Sequence, residues 1–288
     1  MFTKVLLASD LSLTSQRMVE AAAQLKAWGT TEIVLLQCLG LQELPEEIIA
    51  PSRDFLLHNL DDQKKLLVDQ GFAVTAEVRT GLPKVEIHRV ARERGASLIV
   101  VGAMGESLAG DLLGGVASAV IHTATRPVLV FRPSGSTSAP PSLLDHVLFP
   151  TDFSASADHA FGSLKQLAGA GAKRVTLLHV QDQSRIDPHL LHRLPEFNTL
   201  DEQRLDGLRA DLGTASGCEI EPVLTYGHPV ADILATVRDR SVSLVVMASQ
   251  GKGFLAELFL GSVSHHVTRH APVSVLLIPT PRDREGIS

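Results

Sequence analysis

The chain repeats itself, and this repetition limits the possible folds more than any other feature of the sequence. Five phrases of the first half return in the same order in the second half. They are VLLASDLS and VLFPTDFS (5–12 and 147–154), IVLLQCLG and VTLLHVQD (33–40 and 175–182), RTGLP and TYGHP (79–83 and 225–229), SLIVVGAMG and SLVVMASQG (97–105 and 243–251), and LLGGVASAV and FLGSVSHHV (112–120 and 259–267). The offset between the copies changes only slightly along the chain, as insertions and deletions in loops produce. The sequence therefore indicates an internal duplication.

A chain of 288 residues is long enough for two domains, each with its own core. The segment PSGSTSAPPS (133–142), between the copies, is rich in proline, glycine and serine and is typical of a linker. We therefore predict one domain over residues 1–133, a linker over 134–144, a second domain over 145–280 and a polar tail over 281–288.

Each copy alternates short apolar runs with segments of helical length. In the second copy we predict strands at 147–149, 175–180, 219–224, 244–247 and 275–278, separated by helices at 154–169, 196–212, 229–240 and 262–270. Runs that are apolar on both faces favour a parallel sheet covered on both sides. The predicted class is α/β, with two similar open parallel five-stranded sheets and helices on both faces. Such sheets bind ligands outside the carboxyl ends of their strands.

The composition excludes several classes of protein. With 44% hydrophobic and 20% charged residues, the chain is not disordered as a whole. A net charge of -6 and only 10 Phe, 1 Trp and 1 Tyr argue against a nucleic-acid-binding protein. Two cysteines without CxxC spacing cannot form a disulfide framework, and no apolar run is long enough to span a membrane. We expect a reduced, soluble, cytoplasmic protein with neither nucleic acid nor a membrane as partner.

Residues suited to binding a phosphorylated ligand follow two predicted strands of the second copy. The first strand ends in Pro150-Thr151-Asp152, and the fourth leads into MASQGKG (247–253). Gly261-Ser262-Val263 then begins a helix. Glycines let a backbone approach a ligand closely, and a helix N-terminus offers N–H groups and a partial positive charge. This pattern predicts a phosphate cradle, beside which an acidic side chain can accept hydrogen bonds from ribose hydroxyls.

The spacing of Gly251, nine residues, then Gly261-Ser262 resembles the ATP-binding pattern G-x2-G-x9-G-[S/T] of universal stress proteins. The resemblance covers nearly the whole chain twice, so the sequence looks like a tandem universal stress protein. It implies sheets with strand order 3-2-1-4-5, and adenine and ribose contacts from Pro150, Asp152 and Val180. It also implies phosphate contacts from Met247, Ala248, Gly251, Gly261, Ser262 and Val263. Ala248 departs from the pattern because it stands where the first glycine belongs.

The first copy departs further from this pattern. Gly102 and Gly105 fit G-x2-G, but only eight residues precede Gly114, and Gly115 replaces the Ser/Thr. Ala8 and Cys38 stand at the positions of Pro150 and Val180, and Glu106 and Asp111 add negative charge to the loop, where the second copy has Lys252. Because a charged hydrogen bond contributes about 1.5–3 kcal/mol, these losses would greatly weaken a micromolar site. We predict that the second domain binds ATP, with Mg²⁺ as a possible companion, and that the first domain's site is degenerate.

Each of these residues also has a purely structural interpretation. Asp152 could cap a helix, and this interpretation is favoured for Asp10 because its partner loop is broken. Lys252 is more typical of a solvated loop lysine than of a phosphate ligand. His265, His266 and His270 cluster on one predicted helix, and the pairs 266/270 and 189/192 have spacings found in zinc sites. No cysteine or clear acidic residue is placed with either pair as a third ligand. We therefore predict neither a metal site nor catalytic residues.

The leading functional hypothesis is a stress-response regulator that holds ATP in its second domain and uses the bound state to bias its contacts with a protein partner. A nucleotide-free interaction module and a slow ATPase are the alternatives, although no Walker loop or G-x-S-x-G elbow is present. The resemblance also implies pairing of fifth-strand edges. Val128–Phe131 and Val275–Ile278 are therefore expected to pair within one chain as a pseudo-dimer, and a homodimer is a further possibility.

Overall fold

Strands and helices alternate through both halves of the chain, as the duplication predicts. The structure is a computed structural model that describes residues 1–40, 46–104, 113–133, 142–182, 193–213, 217–251 and 260–280. The first half contains β1 (Lys4–Ala8), α1 (Leu13–Ala21), a 3₁₀ helix (Ala22–Trp28), β2 (Glu32–Leu39), α2 (Glu46–Asp69), β3 (Ala73–Thr80), α3 (Pro83–Glu93), β4 (Leu98–Gly102), α4 (Gly115–His122) and β5 (Val128–Phe131). The second half contains β6 (His146–Pro150), α5 (Ala155–Gly169), β7 (Arg174–Asp182), α6 (Leu194–Gly213), β8 (Glu219–Gly227), α7 (Pro229–Asp239), β9 (Leu244–Ala248), α8 (Ser262–His270) and β10 (Ser274–Ile278).

The sheet order confirms the predicted α/β class. Each half contains five parallel strands in the order 3-2-1-4-5, and the two halves meet through an antiparallel pair between β5 and β10. Val275 lies opposite Val130, and Leu277 lies opposite Val128. The two five-stranded units are thus halves of one ten-stranded sheet. Their joining removes two edge strands that would otherwise be open to association.

Helices cover the sheet on both faces, and neighbouring residues of one strand serve opposite faces. Leu148 packs in a core with α3, α4, α7 and α8, whereas Phe149 packs in the core beneath α1, α2, α5 and α6. Because successive side chains of a strand alternate between faces, a sheet covered on both sides requires continuous apolar runs. This requirement accounts for the composition of the central strands.

The helix starts of the second half follow their sequence cues. Ser154 caps α5 by accepting a hydrogen bond from the Ala157 N–H, and Pro229 lies in the first turn of α7. At the end of the predicted linker (134–144), Leu143 and Leu144 are buried, and the Leu143 N–H donates to Oε1 of Gln24 at 2.7 Å. Residues 134–141 of the linker and the tail 281–288 lie outside the described residues. Within the described ranges, no helix is long and apolar enough to cross a membrane.

Candidate functional site

A cavity of about 670 Å³ opens at the carboxyl ends of β6, β7 and β9. The strands β6 and β9 are adjacent here, and the chain leaves them toward opposite faces of the sheet. Ligand sites of open α/β folds lie at such a place, which is called the switch point of the sheet. All nine residues predicted as ligand contacts line this one cavity. They are Pro150, Asp152, Val180, Met247, Ala248, Gly251, Gly261, Ser262 and Val263.

The turn after β6 fixes the position of Asp152. The Thr151 N–H donates to the Leu178 carbonyl at 2.8 Å, which extends the strand pairing beyond the end of β6. Asp152 Oδ1 accepts from the Ser154 N–H at 3.1 Å, and the Thr151 hydroxyl accepts from the Phe153 N–H at 3.0 Å. Phe153 adopts a left-handed backbone conformation with a φ of 55°, which residues other than glycine rarely adopt. The chain therefore turns sharply here and points the Asp152 carboxylate across the strand ends.

The second carboxylate oxygen of Asp152 lies directly against Gly251. A β-carbon built on Gly251 would come within 2.6 Å of Asp152 Oδ2, closer than such atoms can approach. Only glycine at residue 251 therefore leaves room for this carboxylate, which brings the end of β6 and the loop after β9 together.

The start of α8 is held beside the end of β9 by two hydrogen bonds. The Gly261 N–H donates to the Ser249 carbonyl at 2.7 Å, and the Ser264 hydroxyl donates to the Ala248 carbonyl at 2.8 Å. No side chain caps the helix at Gly261, whose φ of -73° is ordinary. The first turn of α8 therefore presents backbone N–H groups, and the partial positive charge of a helix N-terminus, at the cavity wall. We call Gly251, Gly261, Ser262 and Val263 the glycine cradle.

One wall of the cavity comes from α6 and β7, and its polar residues were missed in the sequence. The buried His179 donates from Nδ1 to the Thr151 carbonyl at 2.7 Å, and its Nε2 lies 3.5 Å from Asp201 Oδ2. Asp201 also accepts from Gln181 Nε2 at 3.0 Å and pairs with Arg204 Nη1 at 3.3 Å. The sequence offers two cues, since His179 and Gln181 stand two residues apart on a strand and Asp201 and Arg204 three residues apart on a helix. Neither spacing shows that α6 docks against β7.

The charged side chains around the cavity wall are mostly acidic. Among the described lining residues, Asp152, Asp182 and Asp201 are acidic, and Arg204 carries the one permanent positive charge. The loop residues 252–259, which include Lys252, lie outside the described part of the chain. Within that part, no group of three or more His, Cys, Asp or Glu residues is arranged to hold a metal ion. Around the described cavity, positive potential therefore comes from Arg204 and from the N–H groups at the start of α8.

The first half uses the corresponding aspartate differently. Asp10 Oδ1 accepts hydrogen bonds from the Ser15 hydroxyl and from the Ser12 N–H at 3.1 Å. The second half has Ala157 in place of Ser15, and Ala157 lines the cavity. Asp10 thus accepts both hydrogen bonds from its own loop and the following helix. A structural role of this kind is the one favoured for it from the sequence.

Other first-half counterparts also differ from the second half. Burial raises the pKa of Cys38 to about 12, so the thiol at the position of Val180 is neutral. The Gly114 N–H donates to the Ala103 carbonyl at 2.7 Å, which makes Gly114 the counterpart of Gly261 and places Gly115 where Ser262 provides a hydroxyl. Residues 105–112, which include Gly105, Glu106 and Asp111, lie outside the described residues.

The histidines flagged as a possible zinc set lie on α8. His266 and His270 are exposed, and each directs Nδ1 to the backbone carbonyl four residues earlier. His265 instead packs against His122 of α4, with ring centroids 5.1 Å apart. His189 and His192 lie outside the described residues.

Comparison with known proteins gives consistent matches over both halves. The model of the universal stress protein family matches residues 1–132 and again 144–279. A crystal structure of a universal stress protein from Archaeoglobus fulgidus has a TM-score of 0.76 and 25% identity, and the match covers 96% of this chain and 98% of that one.

Two single-domain relatives match about half of this chain each. Universal stress protein MJ0577 of Methanocaldococcus jannaschii is 28% identical over 151 residues, covering 46% of this chain and 93% of its own length. Universal stress protein YxiE of Bacillus subtilis is 32% identical over 148 residues, covering 46% of this chain and all of its own length.

Proposed function

Because the chain belongs to the universal stress protein family, we propose that its second half binds an adenine nucleotide and that ATP is the ligand. The nucleotide-bound state would then bias contacts of the protein with a partner during the stress response. The supporting observation is that nine residues, selected from four separate sequence segments, line one cavity at the switch point of the sheet. The cavity volume, about 670 Å³, lies in the range of small-molecule and cofactor sites.

The proposed ribose contact is Asp152. Its carboxylate is directed into the cavity by the turn at Phe153 and lies beside Gly251. A carboxylate is an acceptor, and the two ribose hydroxyls are donors, so the pair is chemically matched. Pro150 and Val180 form the apolar surface proposed for the base.

The proposed phosphate contacts are Met247 and Ala248 at the end of β9 and the glycine cradle, which includes the Ser262 hydroxyl. A helix N-terminus and close glycine backbones bind phosphate without requiring lysine or arginine. Mg²⁺ would help to offset the three carboxylates of the wall, since it binds through phosphates and one or two carboxylates rather than through a complete protein cage. We therefore expect ATP to bind more tightly with Mg²⁺ than with a chelator present.

Calorimetric titration of the full chain with ATP, ADP, AMP and cyclic AMP tests the proposal. If the cradle binds phosphates, affinity rises from AMP through ADP to ATP, each titrated with Mg²⁺. Equal affinity for all four would contradict phosphate recognition by the cradle, although the base site would stand. Absence of binding by any of them would favour the nucleotide-free interaction module.

The slow ATPase remains a separate hypothesis with its own test. It requires ADP release that depends on Mg²⁺ and is lost in Ser262→Ala. Binding of ATP without ADP release over hours would leave a binding protein that responds to its ligand by occupancy alone.

A further inference from the structure

The helix that forms part of the glycine cradle is held at its other end by the opposite half of the chain. Arg132, the residue after β5, reaches the last turn of α8. Its Nη2 donates to the Arg269 carbonyl at 2.9 Å and to the Thr268 carbonyl at 3.2 Å. The side chain is buried, with 6% exposure for the residue. A first-half residue therefore satisfies two carbonyls at the end of a second-half helix.

These contacts suit the electrostatics of a helix terminus. The last four carbonyls of a helix have no partner within the helix, and this end has a partial negative charge. A guanidinium is planar and always charged, so it can donate to both carbonyls at once. The Arg132 N–H also donates to the Ser274 hydroxyl at 3.1 Å, which fixes the residue to β10 at the seam between the halves.

The first half makes a second contact with the same helix. The ring of His122, at the end of α4, packs 5.1 Å from the ring of His265 in α8. Burial, together with the nearby His122, lowers the pKa of His265, which favours the neutral form of its ring in this contact. The first half thus contacts α8 at its C-terminal turn and also one turn after Ser262.

The residue at the reciprocal position of the second half cannot make this contact. Arg132 directly follows β5, and Pro279 directly follows β10, the duplicate of β5. Proline has neither a side-chain donor nor a backbone N–H. Among the residues that the structure describes, the guanidinium contact therefore runs in one direction, from the first half to the second.

We propose that Arg132 is a positioning residue for the ligand site of the second half, acting through α8 on the first-turn N–H groups of the glycine cradle. The inference rests on the proposed nucleotide binding for its functional consequence, but not for its structural part. A helix of nine residues is a short rigid rod, and hydrogen bonds to its first turn tolerate only small displacements. Holding its far end therefore keeps the cradle in its binding geometry.

Three variants of the full chain test this inference. Arg132→Met removes the donors and keeps an apolar stem, and Arg132→Lys keeps the charge. Leu129→Val removes a methylene group at the seam, where Leu129 lies opposite Leu276 on the sheet face away from α8. Hydrogen exchange of residues 260–270 without nucleotide is measured beside calorimetric titration with ATP. Leu129→Val is the matched control for general weakening of the seam.

We expect Arg132→Met to accelerate exchange at the start of α8 and to raise the Kd for ATP about tenfold, a typical coupling between distant sites. Arg132→Lys should recover part of both losses, and Leu129→Val should leave both unchanged while lowering the melting temperature. If Arg132→Met does not fold, Arg132→Gln, which is too short to reach both carbonyls, takes its place with the same expectations.

The inference is overturned if Arg132→Met leaves exchange and Kd unchanged, or if Leu129→Val changes both as much at an equal loss of stability. If the wild-type protein binds no ATP, the proposed function fails, and the exchange measurements alone decide whether Arg132 positions α8.

Discussion

A β-carbon at residue 251 would lie 2.6 Å from Oδ2 of Asp152, so this carboxylate occupies the space that any other residue's side chain would need. The contact joins the ends of β6 and β9, which are adjacent strands of the second half. It places an acceptor from one strand end beside the backbone of the other. The proposed ribose and phosphate contacts therefore meet at this pair.

Replacing Gly251 with alanine should damage binding more than stability. The added methyl group meets the end of the Asp152 side chain, which can rotate away, so the free energy of unfolding should fall by no more than about 1 kcal/mol. The moved group no longer fits the ligand, and ATP affinity falls. Urea unfolding and calorimetry measure the two effects. Gly115→Ala is the control, because its methyl group would meet no heavy atom within 4 Å; equal behaviour of the two variants would refute the prediction.

The two duplicated aspartates should separate stability from binding. Asp10→Ala removes an acceptor of two hydrogen bonds within its own loop, and should lower the free energy of unfolding by about 1–3 kcal/mol without changing ATP affinity. Asp152→Ala should reduce ATP affinity at least about tenfold, since a charged hydrogen bond contributes that much. Chemical unfolding and calorimetry on both variants check this. A loss of ATP affinity in Asp10→Ala would show that the first half also takes part in binding.

Gly261→Ala should affect the ligand more than the protein. A β-carbon at this position would have only ordinary contacts, the nearest atoms lying 3.5 Å away, and the backbone φ of -73° suits any residue. Thermal unfolding without nucleotide should therefore be nearly unchanged, whereas ATP affinity falls because the added methyl group lies against the backbone of residues 249–251, beside the proposed phosphate site. Gly114→Ala, in the first half, serves as the control for binding. Unchanged ATP affinity in Gly261→Ala would remove this residue from the cradle.

Stability should fall on acidification because of His146. This buried histidine directs Nδ1 to the Arg240 carbonyl at 2.9 Å and Nε2 to the Thr176 hydroxyl at 2.8 Å, a pair suited to the neutral ring. Burial lowers the pKa of His146 below its ordinary value near 6.5, so the unfolded chain binds the proton more readily. The contribution of His146 is therefore complete above pH 6.5 and is lost as the pH falls through the lowered pKa.

Urea midpoints at pH 7.5 and pH 5.5 measure this effect. His146→Gln, which cannot titrate, should show a smaller difference between the two midpoints than the wild type. His58→Gln, at an exposed position of α2, should leave the difference unchanged. An equal difference in wild type and His146→Gln would mean that other groups cause the pH dependence; His88 and His265, whose pKa values burial also lowers, would be examined next.

The fold was predictable because the same local pattern occurs twice in the chain. In both copies the apolar runs, the helix starts and the turn residues indicate the same order of strands and helices. Apolar runs such as 175–180 identified central strands, and Ser154 and Pro229 marked helix starts that the structure confirms. Pairing of the fifth strands was also expected, but its register, with Val275 opposite Val130, depends on side-chain packing at the seam.

The site was only partly predictable, because sequence spacing shows contacts along a segment and not between docked segments. The strand ends and the glycine loop were visible as motifs. The links from Asp201 to His179 and from Arg132 to α8 were not, since each depends on how one element docks against another. The exchange of Ser15 for Ala157 was visible in the sequence, but its effect on Asp10 became clear only from the loop geometry.

The most direct test of the unequal roles of the two halves is the stoichiometry of ATP binding to the full wild-type chain. Calorimetry at saturating Mg²⁺ should give one site per chain, and that site should disappear in Asp152→Ala and persist in Asp10→Ala. Two equivalent sites per chain, or a single site that survives Asp152→Ala, would contradict a ligand site confined to the second half.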